Sequence, residues 1–197
     1  MEKASKPEFL DQAILEKRRE KLKASHVTLE GGIYIQGEVM TFKRKEILDS
    51  FSLMVPTSFG IMNEDFKSVK YTSKFAPAYL LTSEDLSVNL GFSMFIDHTP
   101  KESVVQIAQG IKDTLESNQS TFDFGEMASL EKVNGCYFQF FQTTLDTDMF
   151  HVMAFVRISD KIMKMSFNCM SDLDYMTWKN TVIQMLESIE KYEKEER

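Results

Sequence analysis

The chain has 197 residues, 43% of them hydrophobic and 27% charged, proportions that fit one compact globular domain and argue against a disordered, collagenous or disulfide-stapled chain. Its 23 basic and 30 acidic residues leave a net charge of −7, which opposes phosphate backbones and anionic lipid, so neither nucleic acid nor membrane is an expected partner. No run approaches the ~20 apolar residues that span a bilayer, and the charged N-terminus lacks the hydrophobic stretch of a signal peptide, so a soluble, cytoplasmic chain is expected.

In chain order, residues Pro7 to Ala24 read as a helix. Phe9, Ala13, Ile14 and Leu22 fall near one thin stripe, and Glu16, Lys17, Arg18, Arg19, Glu20, Lys21 and Lys23 fill the rest. A helix this short is marginal alone, so it either docks through Phe9 and Ile14 or stays mobile. Gly31-Gly32 interrupts any helical continuation, and Ile33, Ile35, Val39 and Phe42 suggest extended chain up to the charged run Lys43-Arg44-Lys45-Glu46. Residues 1–48 thus read as an N-terminal helix and extended appendage, and residues 49–197 as the domain proper. Phe51-Ser52-Leu53-Met54-Val55 is a short strand ended by Pro56, which cannot donate to a sheet ladder. From Gly60 to Pro77 no period is sustained, and the stretch is expected to be mostly irregular.

Tyr79 to Thr82 and Val88 to Ile96 form a hairpin pattern around Ser83-Glu84-Asp85. In the second arm Val88, Leu90, Phe92, Met94 and Ile96 alternate with Asn89, Gly91, Ser93 and Phe95, so one face is apolar. Thr99-Pro100-Lys101-Glu102 has the chemistry of a capped helix start, followed by Val104, Ile107, Ala108, Ile111 and Leu115 on one face. From Phe122 the period changes to that of a strand meander. Asn134-Gly135 predicts a tight type I′ turn between strands Glu126–Val133 and Cys136–Leu145. Asp146-Thr147-Asp148 and Ser159-Asp160-Lys161 separate two further strands, Met149–Ile158 and Ile162–Met170. Ser171 and Asp174 open a last helix in which Tyr175, Trp178, Val182, Met185, Leu186 and Ile189 recur at helical spacing, with Trp178 as its anchor. Glu190 to Arg197 reads as a fraying end. The fold class is therefore α+β: an antiparallel sheet flanked by helices.

This order of elements resembles the PsbP-like superfamily, which includes DcrB-type lipoproteins, a Ran-binding nuclear transport factor and chaperones of type VI secretion effectors. The residues that carry the likeness are Phe51 to Pro56 followed by Phe59, the hairpin arm ending at Ile96, and Trp178, and it spans roughly Phe51 to Tyr192. It implies an α/β/α sandwich on an antiparallel sheet, in a family whose members mostly bind proteins. It carries over no catalytic residues. Unlike the exported DcrB-type proteins this chain shows no export signal, and residues 1–48 have no evident counterpart in the family core.

Chemistry-bearing residues are sparse. His26, His98 and His151 each lack a second histidine or cysteine at metal-ligand spacing. His98 beside Asp97 reads as a solvated loop residue, and His151 as a sheet-face residue. Cys136 and His151, on neighbouring strands, are candidates for a nucleophilic dyad, but no third orienting group accompanies them. The only two cysteines, Cys136 and Cys169, sit in apolar segments and read as buried reduced thiols. Phosphate-binding and nucleophile-elbow glycine motifs are absent from the sequence. Glu84-Asp85 and Asp146/Asp148 fit turn chemistry better than cation binding. No catalytic, cofactor-binding or metal site is assigned, and no cofactor is expected.

The unusual feature is 13 Met with 16 Phe, which fill an irregular core or, secondarily, form an adaptable groove. The leading expectation is a non-catalytic cytoplasmic protein-interaction module, an adaptor or secretion-effector chaperone, using an exposed sheet face around Tyr137, Gln139 and Phe141. A protein partner is expected, a homodimer being one form it could take. The alternative is a small hydrophobic-ligand-binding domain with a Phe- and Met-lined pocket, and an enzyme of unknown type is third.

Overall fold

The structure is a computed structural model that describes residues 6–73, 76–96, 103–118 and 121–191. Helix α1 (Lys6–Ser25) leads into three short strands, β1 (Val27–Thr28), β2 (Gly32–Ile35) and β3 (Glu38–Met40), which form a small antiparallel sheet. Strands β4 (Phe42–Ile47) and β5 (Phe51–Pro56) follow, then β6 (Gly60–Ile61), helix α2 (Glu64–Lys70), and strands β7 (Tyr79–Thr82) and β8 (Val88–Ile96). Helix α3 (Val104–Asn118) precedes the meander β9 (Phe122–Ser129), β10 (Gly135–Gln142), β11 (Met149–Ile158) and β12 (Lys161–Met170). Helix α4 (Tyr175–Glu187) and strand β13 (Glu190–Lys191) close the chain.

The central sheet has seven strands in the order β6-β7-β8-β12-β11-β10-β9, and every pairing in it is antiparallel. This is the α+β sandwich expected. On one face, Val88, Leu90, Phe92, Val152, Ala154, Met165 and Phe167 join Trp178, Val182, Met185 and Leu186 of α4 in the main core. Strands β4, β5 and β13 form a second small sheet that adds Ile47, Phe51, Leu53 and Val55 to the same core. The opposite face packs Phe138, Phe140, Phe155 and Ile162 against Val104 and Ala108 of α3. Trp178 is 1% exposed, its ring 6.0 Å from that of Phe59 and 5.6 Å from that of Phe167, and so anchors α4.

Segment 1–48 supplies core side chains as well as α1: Leu29, Ile33, Ile35 and Ile47 belong to the main cluster. Strand β4, on one side of residue 48, pairs with β5, on the other, from Phe42↔Pro56 to Ile47↔Phe51. The charged run Lys43 to Glu46 lies inside β4, since a strand on the rim of the molecule can point Lys43, Arg44 and Glu46 outward and still bury Ile47.

Several local expectations change. Within Gly60 to Pro77, the structure adds α2, whose Asn63 cap accepts from the Asp65 N–H at 2.8 Å. None of its residues is buried, so its sequence carries no amphipathic period. The expected start of α3 at Thr99 to Glu102 lies outside the described residues. The described helix is capped by Ser103, which takes the Gln106 N–H at 3.2 Å while Gln106 Oε1 accepts from the Ser103 N–H at 2.8 Å, a reciprocal capping box. Asn134-Gly135 is not a type I′ turn: neither residue has positive φ, and Gly135 already belongs to β10. Its glycine serves a close approach, because a Cβ there would lie 2.6 Å from the Phe155 carbonyl oxygen. Glu190 and Lys191 are not frayed but pair with Ser52 and Phe51. Asp174 does open α4, from the left-handed region (φ 47) and with no side-chain cap bond to the backbone.

Both edges of the central sheet are interrupted. Strand β6 is two residues long and runs into α2. In β9 the register slips, Met127 facing Phe138 and Phe124 facing Phe140, so that Gly125 and Glu126 together oppose Gln139 in a bulge.

Candidate functional site

Alternation along β10 sends Cys136, Phe138 and Phe140 toward α3, and Tyr137, Gln139 and Phe141 toward the α4 side of the sheet. There the last three are half-buried rather than exposed. Helix α4 packs mainly on β5, β11, β12 and β2, so β10 and β9 lie at its flank. Phe141 meets the first turn of α4, its ring 5.2 Å from Tyr175 and nearly perpendicular to it. Burial, with Glu187 adding its charge, raises the Tyr137 pKa and keeps the phenol protonated. Between them Gln139 lies across Gly125, whose missing side chain makes the room: a Cβ there would stand 3.0 Å from Gln139 Cγ. The buried Gln139 Oε1 has no hydrogen-bond partner among the described residues. The outer strand adds Ala128 opposite Tyr137 and Asp123 opposite Phe141, and Asp123 and Glu126 are exposed. The result is a shelf with an aromatic floor and an acidic rim.

The Cys136–His151 dyad does not form. Cys136 stands opposite Phe155 and His151 opposite Phe140, four residues apart along the ladder, or about 13 Å. Burial raises the Cys136 thiol to about 11 and, helped by Asp172, the Cys169 thiol to about 12, the reverse of nucleophile activation. The two cysteines lie on opposite faces of the sheet, where no disulfide can join them. His98 and Asp97 lie outside the described residues. His26 caps the end of α1 through contacts of its Nδ1 with Ser25 Oγ and the Leu22 carbonyl.

His151 instead ends a buried polar row that the sequence did not disclose. Thr82 donates to Asn89 Oδ1 (2.9 Å), Asn89 to Asn168 Oδ1 (3.0 Å) and Asn168 to Tyr71 Oη (3.2 Å). His151 faces Asn168 across β11 and β12. Burial lowers its pKa to about 4, and its Nε2 has no hydrogen-bond partner among the described residues. The row is internal and reads as a specificity device of the core.

Two grooves that open at the surface have mixed linings. One of about 310 Å³ runs between α1, β2 and α4, lined by Lys23, His26, Tyr34, Asp174, Thr177 and Gln184 among others. A second, of about 530 Å³, is bordered by ion pairs Arg44–Glu190 (2.9 Å) and Lys132–Glu187 (3.8 Å). Neither is lined by phenylalanine, and Met54 is the single methionine between them, so neither is the Phe- and Met-lined pocket that a hydrophobic ligand would require. Among the described residues no cluster of three metal-ligating side chains occurs, and no helix is long and apolar enough to cross a membrane.

No family model matches the chain, and no curated protein matches it by sequence. Solved structures do match. The cyanobacterial PsbP protein CyanoP from Synechocystis sp. PCC 6803 superposes with a TM-score of 0.56 at 11% identity, covering 82% of this chain and 98% of its own. The Ran-binding protein Mog1p of Saccharomyces cerevisiae gives 0.51 at 12% identity, over 77% of this chain and 95% of its own. LpqN of Mycobacterium tuberculosis, described as involved in cell envelope biogenesis, gives 0.50 at 12% identity, over 84% and 98%. What these chains share is the architecture.

Proposed function

We propose that this PsbP-like sandwich is a non-catalytic protein-interaction module, an adaptor or effector chaperone of a reducing, cytoplasmic compartment, whose binding face is the shelf of Tyr137, Gln139 and Phe141. The observation that carries the reading is that shelf: two half-buried aromatic rings at the flank of α4, rimmed by the exposed carboxylates of Asp123 and Glu126. A partner laid there buries the ring area that is still exposed, and aromatic anchors of this kind concentrate binding energy in few residues. The use of the same fold by the yeast Ran-binding protein supports a binding role. The two buried thiols on opposite faces of the sheet suit a reducing compartment.

The test is a photo-crosslinking amino acid placed at Gln139 in the native host, with the same probe at Asp160, in the β11–β12 turn, as control. A discrete adduct at 139, absent at 160 and lost when Tyr137 and Phe141 are replaced by Ser, is expected. No adduct, or equal labelling from both sites, overturns the reading.

A further inference from the structure

We propose that the shelf receives helix α1 of a second copy of this chain, so that two copies exchange their N-terminal helices in a closed pair. The inference rests on the shelf being a binding face.

Helix α1 is 20 residues long, and every one of its described side chains, from Asp11 to Ser25, is exposed. Ile14 is 46% and Leu15 52% exposed. Such a helix gains little from its own body, and alone in water it would be marginal. Its orientation is nevertheless set. The His26 N–H bonds the Leu22 carbonyl and the Tyr34 N–H bonds the His26 carbonyl, and Arg19 and Lys23 border the grooves beside Tyr34 and Asp174. At 100° per residue, Ile14, Arg18 and Lys21 fall on the other side of the helix from Arg19 and Lys23. The outward side therefore offers an apolar residue and two cations to whatever lies beyond.

The shelf offers the complement. Residues 17–23 carry five cations, Lys17, Arg18, Arg19, Lys21 and Lys23, against Glu20, in a chain of net charge −7, and the shelf rim carries Asp123 and Glu126. Arg18 and Lys21 pair with those exposed carboxylates, while Ile14 meets the half-buried rings of Tyr137 and Phe141. The lengths agree: 20 helical residues extend about 30 Å, and an eight-residue strand such as β9 or β10 about 27 Å. Because α1 is tied to the groove beside its own α4, the helix presented to a shelf belongs to another molecule. The same two patches then meet twice about a two-fold axis.

The experiment uses the purified full-length chain. Sedimentation should show a dimer that dissociates on raising salt to about 0.5 M, since exposed charges are screened there. Arg18→Glu with Lys21→Glu should weaken it about tenfold or more, and mixing this variant with Asp123→Lys/Glu126→Lys should restore a heterodimer. In an equal mixture of ¹⁴N- and ¹⁵N-labelled protein, a photoprobe at 139 should join residues 11–25 of the other isotope. A monomer at about 100 μM, roughly the limit of a useful weak association, or crosslinks confined to one isotope, overturns the proposal. If the purified protein stays monomeric while the probe in cells captures a different protein, the exchange fails and the adaptor reading stands. If neither crosslinks, both fail.

Discussion

The imidazole of His151 lies flat on the ring of Phe140, the centroids 4.6 Å apart and the planes within 2°. The stack places a titratable ring between the sheet and α3, its Nε2 buried and without a hydrogen-bond partner among the described residues, and desolvation holds its pKa at about 4 instead of 6.5. Below pH 6.5 the unfolded chain therefore takes up a proton that the folded chain refuses. Stability from this residue is full above pH 6.5 and is lost as pH falls to about 4, a decline of about 3 kcal/mol. Urea unfolding of the parent and of His151→Phe, which keeps the stack, should diverge across that interval, the variant showing the smaller loss. Parallel pH curves would contradict the assignment.

Gly135 and Gly110 should respond oppositely to alanine. A Cβ on Gly135 would meet the Phe155 carbonyl at 2.6 Å and Val156 Cγ2 at 2.9 Å, forcing β10 away from β11 at a cost of about 1 to 3 kcal/mol. Gly110, inside α3, has nothing within 4 Å of that position, and alanine there should stabilise by about 1 kcal/mol. Thermal unfolding of the two variants reads the difference in sign.

Trp178 sits between Phe59 and Phe167, yet its buried Nε1 donor has no partner among the described residues. Trp178→Ala should cost about 3 to 5 kcal/mol through the cavity left behind. Trp178→Phe removes volume and the unpaired donor together, and these offset one another, so the loss should stay near 1 kcal/mol. Guanidinium titrations followed by far-ultraviolet dichroism separate the cases, and equal losses would refute the account.

Asn89 and Asn168 depend on each other. Removing either amide leaves a buried partner unsatisfied, costing about 1 to 3 kcal/mol. With both replaced by Ala the second loss should be smaller, a coupling of about 1 kcal/mol in a double-mutant cycle. Simple additivity would mean that the 3.0 Å bond between them contributes nothing.

What the sequence discloses depends on where each element stands. Strands β8, β11 and β12 and helix α4 bury one side deeply, so their alternation or helical period is plain, and Trp178 marks the core. Helix α2 buries nothing and left no period to read. Strand β4 hid behind its charges because only its last residue is fully buried. Asn134-Gly135 misleads because the glycine answers to Phe155, which lies 20 residues away and becomes a neighbour only through strand register. The same holds for Tyr137, Gln139 and Phe141. Alternation places them on one face, but only the position of α4 decides that they are half covered, and only the bulge at Gly125 explains why Gln139 has room.

The two interrupted margins of the central sheet limit how these molecules can aggregate. Cross-β growth needs a long straight run of free amides to template the next chain. Here one margin offers two residues, and the other is broken at Gly125 and Glu126 with carboxylates on either hand. Concentrated stocks should therefore remain free of fibrils and of thioflavin-binding species, despite a sheet seven strands wide and rich in phenylalanine.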